Sequence, residues 1–383
     1  MTMPDMPQAE SGGLECMEMT QAPATPEAPE AGTLPRLSVI IGCFNYGRFL
    51  PQAIDSVLSE NVGAEIIVVD DCSTDNSRDV MRSYGDRIIP VYQPENQGQG
   101  AGFNAGWARA TGDLIYFLDA DDFVLPGSLR QALRLHEPGI LLHHFRMRYT
   151  DETGALGGVH PPMQVALAQG DISRQLRENG RYTTNVTSGL IFSREGLEKV
   201  MPIDASAFRI SAEGYLVATV PLYGATRAHD VQLSAYRLHT AQNWKAGTDF
   251  GARARKGLKH DGDRYAAIRA HAAKLGLPVA DNLGDADLEH LNDRLISLSF
   301  APDQHPVSGD SIGKVVHLAR VVKVEGGGAK ANAARTVWWT MMGLLPGAPR
   351  RQLLRWKMDP ATRPAWLAST GRFLRTRLGV VVR

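Results

Sequence analysis

The feature that most restricts the fold of this chain is an alternation of apolar strands and amphipathic helical segments between residues 38 and 119. Short β-branched runs such as residues 38–41 and "EIIVVDD" at 65–71 are separated by segments whose apolar residues recur at helical spacing. Apolar strands that alternate with helices are typical of a parallel sheet covered on both faces. The sequence therefore predicts an α/β fold, with a mostly parallel sheet flanked by helices.

Polar side chains follow three of these strands at the point where each strand ends. Asn45 comes after the first strand, Asp70 and Asp71 end the second, and "LDADD" at 118–122 ends the fourth. In open α/β sheets, ligands bind beyond the carboxyl ends of the strands. We therefore expect these side chains to converge on a single binding site.

Three of these carboxylates, Asp119, Asp121 and Asp122, lie within four consecutive positions. Like charges this close repel one another unless a cation lies between them, and carboxylate oxygens suit Mg²⁺ or Mn²⁺. The alternative is a solvated acidic turn that caps the following helix. Asp70 and Asp71 present the same choice, because a carboxylate there could bind a nucleobase or ribose or could cap the next helix.

Composition divides the chain into three regions. Residues 1–34 are rich in Pro, Ala, Glu and Met without periodicity, which predicts a disordered N-terminal tail. Residues 35–245 carry the α/β pattern. From about residue 246 the pattern becomes helical and basic, so we expect a helical C-terminal region over 246–383.

Charge and cysteine usage exclude several classes of protein. The formal net charge is zero, so the chain has no general affinity for nucleic acid. Its cysteines, Cys16, Cys43 and Cys72, are odd in number and lack metal-type spacing, which argues against a disulfide framework and a zinc site. We see no secretory signal and no 18-residue apolar run, and we expect a cytoplasmic location.

The segment 336–378 combines aromatic and basic side chains in pieces too short to span a bilayer. Trp338 and Trp339 precede a run of nine Lys and Arg residues with one acid between positions 350 and 383. This pattern predicts an interfacial helix on anionic lipid, at the inner face of the membrane. A helical subdomain whose arginines face water would show the same pattern.

Four segments together resemble the family-two glycosyltransferases of the GT-A fold. They are "SVIIGCFNYGRFLPQAIDSVLS", "EIIVVDDCSTDNS", "NQGQGAGFNAGWARATGDLIYFLDADD" and "LPGSL", in the order and spacing of that family. The resemblance is close over residues 37 to about 130 and looser to about 244. It implies a nucleotide-sugar donor, a divalent metal and inversion at the anomeric carbon. It also implies a nucleotide-binding half at 35–125 and an acceptor half at 126–245.

By matching position, the resemblance also implies donor-site roles. Asp71 would hold the base with support from Asp70, Asp119 and Asp121 would form the "DxD" site with Asp122 beside them, and Asn45, Tyr46 and Asn104 would contact the nucleotide sugar. Two positions depart from the family. "GCF" at 42–44 replaces the usual Pro-Thr-Tyr, and Phe103 stands where Arg is common.

The second half supplies the remaining candidates that the resemblance implies. Glu213 matches the acidic residue that serves as general base, although the same residue could merely cap its helix. His239 in "YRLHTAQNW" could touch the metal or the diphosphate, or could be structural. Thr187, Ser188 and Gly189 match an acceptor-side segment.

These inferences predict a metal-dependent, inverting glycosyltransferase of the hexosyltransferase type. Its acceptor would be a carbohydrate or lipid-linked molecule in surface polysaccharide or glycolipid synthesis. A sugar-phosphate nucleotidyltransferase is an alternative, but "IGCFNYGRF" after the first strand lacks the Gly-rich basic loop which that class needs. A non-catalytic nucleotide-sugar binder or scaffold protein is the third possibility.

Overall fold

A computed structural model of the protein describes residues 34–239, 249–322, 329–359 and 362–364. Apart from Leu34, the predicted N-terminal tail lies outside these ranges. The predicted boundary at residue 245 also lies outside them.

The strands of the described residues form one mixed sheet. They are β1 (Leu37–Cys43), β2 (Glu65–Asp70), β3 (Ile89–Tyr92), β4 (Leu114–Asp119), β5 (Phe123–Val124), β6 (Ile140–Thr150), β7 (Leu156–His160), β8 (Leu190–Ser193) and β9 (Ala225–Arg237). Their spatial order is β3-β2-β1-β4-β8-β6-β9-β5, with β7 paired to β6 at the side.

The two halves of the sheet differ in strand direction. Strands β3, β2, β1 and β4 are all parallel, as the alternation of strands and helices predicts. Beyond β4 the directions mix, since β8 is antiparallel to both β4 and β6, whereas β6 and β9 are parallel. The α/β class is confirmed, and the mixed second half is the difference from a mostly parallel sheet.

Helices cover the sheet and make up the C-terminal region. They are α1 (Leu50–Ser59), α2 (Ser77–Tyr84), α3 (Gln99–Trp107), α4 (Ser128–Arg134), α5 (Ser173–Asn179), α6 (Arg194–Glu198), α7 (Glu213–Thr219), α8 (Phe250–Lys274), α9 (Leu288–Phe300), α10 (Ile312–Val321), α11 (Ala329–Leu344) and α12 (Gly347–Met358). The predicted helical character of the C-terminal region is therefore confirmed.

The main core lies on the face of the sheet that α3, α7 and α8 cover. Phe103 on α3 is 2% exposed, and its ring stacks on Phe117 of β4 with centroids 4.0 Å apart. Burying a side chain of this size contributes roughly 2 kcal/mol. Phe103, which departs from the resembled family, is thus a core residue.

A second core joins the C-terminal helices to one another. Leu291 and Leu295 of α9 are fully buried against apolar residues of α10, α11 and α12, among them Val315 and Met342. Within the described ranges, each helix is too short or too polar to cross a bilayer.

Candidate active site

The end of β2 carries two carboxylates that neighbouring donors already satisfy. Asp70 is fully buried and accepts hydrogen bonds from Arg78 Nε at 2.6 Å and from Ser73 N at 3.1 Å. Asp71 accepts hydrogen bonds from the backbone N–H groups of residues 97 and 98, at 2.7 and 2.8 Å. The second of these is a glycine with φ +87°, a conformation that glycine adopts without strain. The two carboxylates therefore position the loops on either side of the predicted base pocket.

The loop after β1 is tied to the loop after β2. Asn45, with φ +59°, accepts a hydrogen bond from Thr74 N at 2.8 Å and donates its own N–H to Ser73 Oγ at 2.9 Å. Tyr46 packs edge-to-face against the imidazole of His239, with ring centroids 5.6 Å apart. Burial raises the pKa of Tyr46, so its hydroxyl stays protonated. The structure thus joins the loop after β1, which is predicted to contact the nucleotide, to the predicted metal side of the site.

Asp119 ends β4 in a desolvated position. Its N–H donates to Ser188 Oγ at 3.1 Å, and its carboxylate accepts a hydrogen bond from Gln99 Nε2 at 3.2 Å. Burial raises the pKa of Asp119 well above its usual range, and the charges of Asp121 and Glu213 raise it further. A positive charge at this point would relieve that repulsion.

Asp121 faces His239, which follows β9. The carboxylate accepts a hydrogen bond from His239 Nε2 at 2.8 Å, and its side chain is 13% exposed. The imidazole is buried, and its Nδ1 has no hydrogen-bond partner in the part of the chain that the structure describes. His239 therefore holds Asp121 in place and leaves one buried ring nitrogen without a described partner.

Asp122 contacts β9. It is 1% exposed, and Oδ1 accepts a hydrogen bond from Arg237 N at 2.9 Å. The guanidinium of Arg237 also donates from Nε to the backbone carbonyl of Asp121 at 2.7 Å. Burial and the charges of Asp121 and Asp119 raise the pKa of Asp122 well above its usual range. These contacts bind the acidic turn to β9 and place a cation beneath it.

This arrangement could hold a divalent cation only in part. No three His, Cys, Asp or Glu side chains of the described residues stand close enough to hold an ion by themselves. The predicted set of Asp119, Asp121, Asp122 and His239 is therefore not gathered as a complete cage. Mg²⁺ typically binds through one or two carboxylates and completes its shell with water and substrate phosphates. Asp119 and Asp121 fit a site of this kind, in which two carboxylates supply part of the shell. The raised pKa of Asp119 shows that negative charge there would be stabilised by a cation.

Glu213 is the first residue of α7, and two side chains link it to Asp119. The Thr187 hydroxyl lies near both carboxylates and lowers the pKa of each. Gln99, which donates to Asp119, accepts a hydrogen bond from Ala212 N at 2.9 Å with its Oε1 atom. Burial raises the pKa of Glu213, and its Oε2 atom has no hydrogen-bond partner among the described side chains and backbone groups. This carboxylate can therefore accept a proton.

The predicted acceptor-side residues form one 3₁₀ turn, Thr187–Gly189, beside β4. Its middle carbonyl, of Ser188, accepts a hydrogen bond from Tyr116 OH at 2.9 Å. Asn104 lies elsewhere, because both ends of its amide bond the backbone of Ile203 at 2.8 Å. Asn104 thus joins α3 to the segment before α7, and its amide is occupied by that contact.

Sequence reasoning missed two polar side chains at the centre of the site. Gln99 lies within "ENQGQGAG", a segment whose glycines are its most informative residues. Its partners Asp119 and Ala212 are distant in sequence, so no local pattern indicates them. Arg237 lies in "YRLHTAQNW", two residues before the histidine that was singled out. A search for a cation to balance three adjacent carboxylates is the signal that points to Arg237.

Part of this chain matches a known protein family and individual glycosyltransferases. Residues 38–201 match the family described as "Glycosyl transferase family 2". An uncharacterized glycosyltransferase of Nostoc sp. is 38% identical over 217 residues, which are 54% of this chain and 66% of that protein. An uncharacterized glycosyltransferase of Haemophilus influenzae is 32% identical over 126 residues, which are 32% of this chain and 50% of that protein.

Two further proteins are similar over different extents. The succinoglycan biosynthesis protein ExoU of Rhizobium meliloti is 41% identical over 98 residues, or 25% of this chain and 29% of that protein. A mannosyltransferase from Pyrobaculum calidifontis, solved with GDP-Man and Mn²⁺, aligns over 87% of both chains at 14% identity and a TM-score of 0.47. The chain thus spans no more than about two thirds of the curated relatives named here.

Proposed function

Because residues 38–201 form a glycosyl transferase family 2 domain, we propose that this chain transfers a sugar from a nucleotide-sugar donor to an acceptor hydroxyl. The observation that carries the proposal is the proximity of Asp119 and Glu213, since the charge of Glu213 raises the pKa of Asp119 and Gln99 bonds both Asp119 and the backbone N–H of Ala212. This link supports a single centre in which a donor-side carboxylate and a proton acceptor lie side by side. ExoU, whose name assigns it to succinoglycan biosynthesis, makes a surface polysaccharide or glycolipid a reasonable product class.

The proposed reaction is a single in-line displacement. Glu213 takes the proton of the acceptor hydroxyl, and the oxygen forms a new bond to the anomeric carbon. The bond from that carbon to the nucleoside diphosphate breaks on the opposite face, and the electron pair leaves with the diphosphate. One displacement of this kind inverts the configuration at the anomeric carbon.

Donor binding is proposed for the carboxyl ends of β1, β2 and β4. Asp71, supported by Asp70, would contact the base, and Asn45 and Tyr46 would close that side of the pocket. Asp119 and Asp121 would hold a divalent cation, Mg²⁺ or Mn²⁺. When bound, the cation would neutralise the charge that develops on the diphosphate.

A binding and turnover experiment tests this proposal. The full chain is screened by thermal denaturation against nucleotide sugars with and without Mn²⁺, and productive donors are then assayed for hydrolysis or transfer. A ligand present at 100 times its Kd stabilises the fold by about 2.7 kcal/mol. A donor that binds therefore raises the midpoint temperature of thermal denaturation. Binding without hydrolysis or transfer would instead favour the non-catalytic binder, and absence of any midpoint shift would contradict the proposal.

We also propose that α11 and α12 touch an anionic membrane surface. Val337 and Leu344 on α11 are 66% and 81% exposed, and both Arg351 and Arg355 on α12 are exposed. An apolar face next to basic side chains suits the interface of an anionic bilayer. Flotation with phosphatidylglycerol vesicles should fall several-fold in Leu344→Asp, whereas equal flotation of variant and wild type would contradict the contact.

A further inference from the structure

A long groove begins at Glu213 and ends among the C-terminal helices. Its volume is about 2520 Å³, and its lining includes Glu213 and Ser211 at one end and Asp293, Trp338 and Lys357 at the other. A pocket for a single small ligand encloses about 300 to 1,000 Å³. The groove therefore has room for an occupant much longer than one sugar unit.

Buried polar atoms without partners lie along this groove. Ser211 Oγ and Glu213 Oε2 stand near its start, and Arg335 Nε and Trp338 Nε1 stand at the far end, all without a hydrogen-bond partner in the ranges that the structure describes. Buried polar groups in folded proteins are nearly always satisfied, so these four call for a polar occupant. Their spread along the lining favours one with many hydroxyl groups.

The charged residues between these two groups are mostly paired by contrast. Arg181 pairs with Asp261, Asp287 and Glu289 at 2.6 to 2.9 Å, and Arg264 pairs with Asp261 and Asp287. These ion pairs hold α8 and α9 together. Arg264 Nε and Thr184 Oγ1 also line the groove without a hydrogen-bond partner among the described residues, so polar contacts are available between the two ends as well.

The far end has the side chains that typically bind a sugar ring. Asp293 is half-buried and makes no hydrogen bond or ion pair with any residue in the described ranges. Burial, and then the charge of Asp261, raises the pKa of Asp293 to about 7. Lys357 donates to Asn292 Oδ1 at 2.9 Å and lies 5.2 Å from the ring centroid of Trp338. A carboxylate and an ammonium can bond vicinal hydroxyls while the indole packs on the apolar face of a sugar ring.

We propose that the groove binds an oligosaccharide acceptor, whose outer sugar units contact Asp293, Trp338 and Lys357 on the C-terminal helices. This inference rests on the proposed function, since it assigns the acceptor class of the same site. It makes the C-terminal helices a determinant of acceptor choice, at a distance from the reacting hydroxyl. An acceptor of one sugar unit would reach Glu213 and leave the far end empty.

Binding of the full chain to an array of immobilised bacterial glycans of one to six sugar units tests the proposal. Wild type should bind glycans of three or more units and should bind single sugars weakly. Asp293→Asn and Trp338→Phe should each weaken that binding about tenfold, because the first replaces a charge-assisted hydrogen bond to a sugar hydroxyl by a weaker neutral one and the second removes the indole N–H donor. Asp263→Asn, which removes a carboxylate of α8 that pairs with Lys259 outside the groove, should change nothing.

The outcomes separate this inference from the proposed function. In one outcome the wild type hydrolyses a nucleotide sugar but binds no glycan, or binds single sugars as well as longer ones. Either result is consistent with the proposed function and contradicts the proposed acceptor site. Equal binding by wild type, Asp293→Asn and Trp338→Phe, with unchanged melting midpoints, overturns it as well. Glycan binding without donor hydrolysis or transfer would instead remove the proposed function.

Discussion

The acidic ends of β2 and β4 contain the same kind of residue at the same edge of the sheet, and their electrostatics are opposite. At β2, Asp70 pairs with Arg78 at 2.6 Å, and Asp71 accepts two backbone N–H groups. At β4, burial and mutual repulsion raise the pKa of Asp119 and of Asp122. Fixed donors of the protein satisfy the carboxylates of β2, whereas Asp119 and Asp122 at β4 lie where negative charge is disfavoured despite the nearby Arg237.

This difference indicates how each acidic end is used. Carboxylates satisfied by fixed donors hold loops in position and gain little from a further cation. Carboxylates whose pKa is raised are in an environment that disfavours negative charge, so a bound cation gains the most there. Substitution at β4 should therefore impair chemistry with little loss of stability, and substitution at β2 should do the reverse.

The largest effect is expected for Asp121→Ala. Loss of this carboxylate should lower turnover by about 10³-fold, because several kcal/mol of charge stabilisation by the cation disappears. The pKa of Asp119 should fall toward its ordinary value, since the charge of Asp121 helps to raise it. Steady-state transfer with and without Mn²⁺ measures the first part, and NMR titration of the Asp119 carboxyl carbon measures the second.

The matched control is Asp113→Ala, next to the other end of β4. Asp113 is exposed and pairs with Arg36 at 3.0 Å, away from the predicted donor site. This variant should keep wild-type turnover. Near-normal, Mn²⁺-dependent turnover in Asp121→Ala would show that the β4 carboxylates do not hold the cation.

The next effect in size is expected for Glu213→Gln. Removal of a general base lowers kcat by about 10² to 10⁴-fold, and the amide keeps the shape of the side chain. Because burial raises the pKa of Glu213, the carboxylate becomes an effective base only above that raised value. The wild-type rate should rise with pH through an acidic limb above the ordinary pKa of Glu, and the limb should disappear in the variant.

A rate–pH profile of both proteins, with donor affinity measured by thermal denaturation, checks this prediction. Donor affinity should be unchanged within a few-fold, since Glu213 is assigned to the acceptor side. If the acidic limb persists in Glu213→Gln, another group is the base. A wild-type kcat in the variant would show that Glu213 is not the general base and has only a structural role at the start of α7.

Much of the β2 and β4 contrast could not be read from the sequence. Local patterns predict the four parallel strands and the carboxylates that follow them, because strand ends and turns are encoded by neighbouring residues. The partners that distinguish the two ends come from elsewhere. Arg237 reaches Asp122 from 115 positions away, and Gln99 joins Asp119 to Ala212 across 113 positions. A single sequence without homologues gives little information on such pairs.

The second half of the sheet has the same limitation. The short strands β5 and β7 contain two and five residues, too few to show a clear period. Asn104 resembles a ligand-contacting residue of the family, yet its amide is held by Ile203, 99 positions later. Resemblance identifies which residue types stand at a position, and packing decides what they touch.

The smallest effect on chemistry is expected for Asp70→Asn, which tests the β2 side of the comparison. Loss of the charge-assisted bond to Arg78 should destabilise the fold by roughly 2 kcal/mol, because Asp70 is fully buried and its partner keeps its charge. Turnover at saturating donor should fall less than in either variant above. Denaturant unfolding provides the free energy, with Asp79→Asn as control, since its exposed pair with Arg82 on α2 is worth under about 0.5 kcal/mol. A stable Asp70→Asn protein with turnover as low as that of Asp121→Ala would mean that both acidic ends serve the chemistry directly.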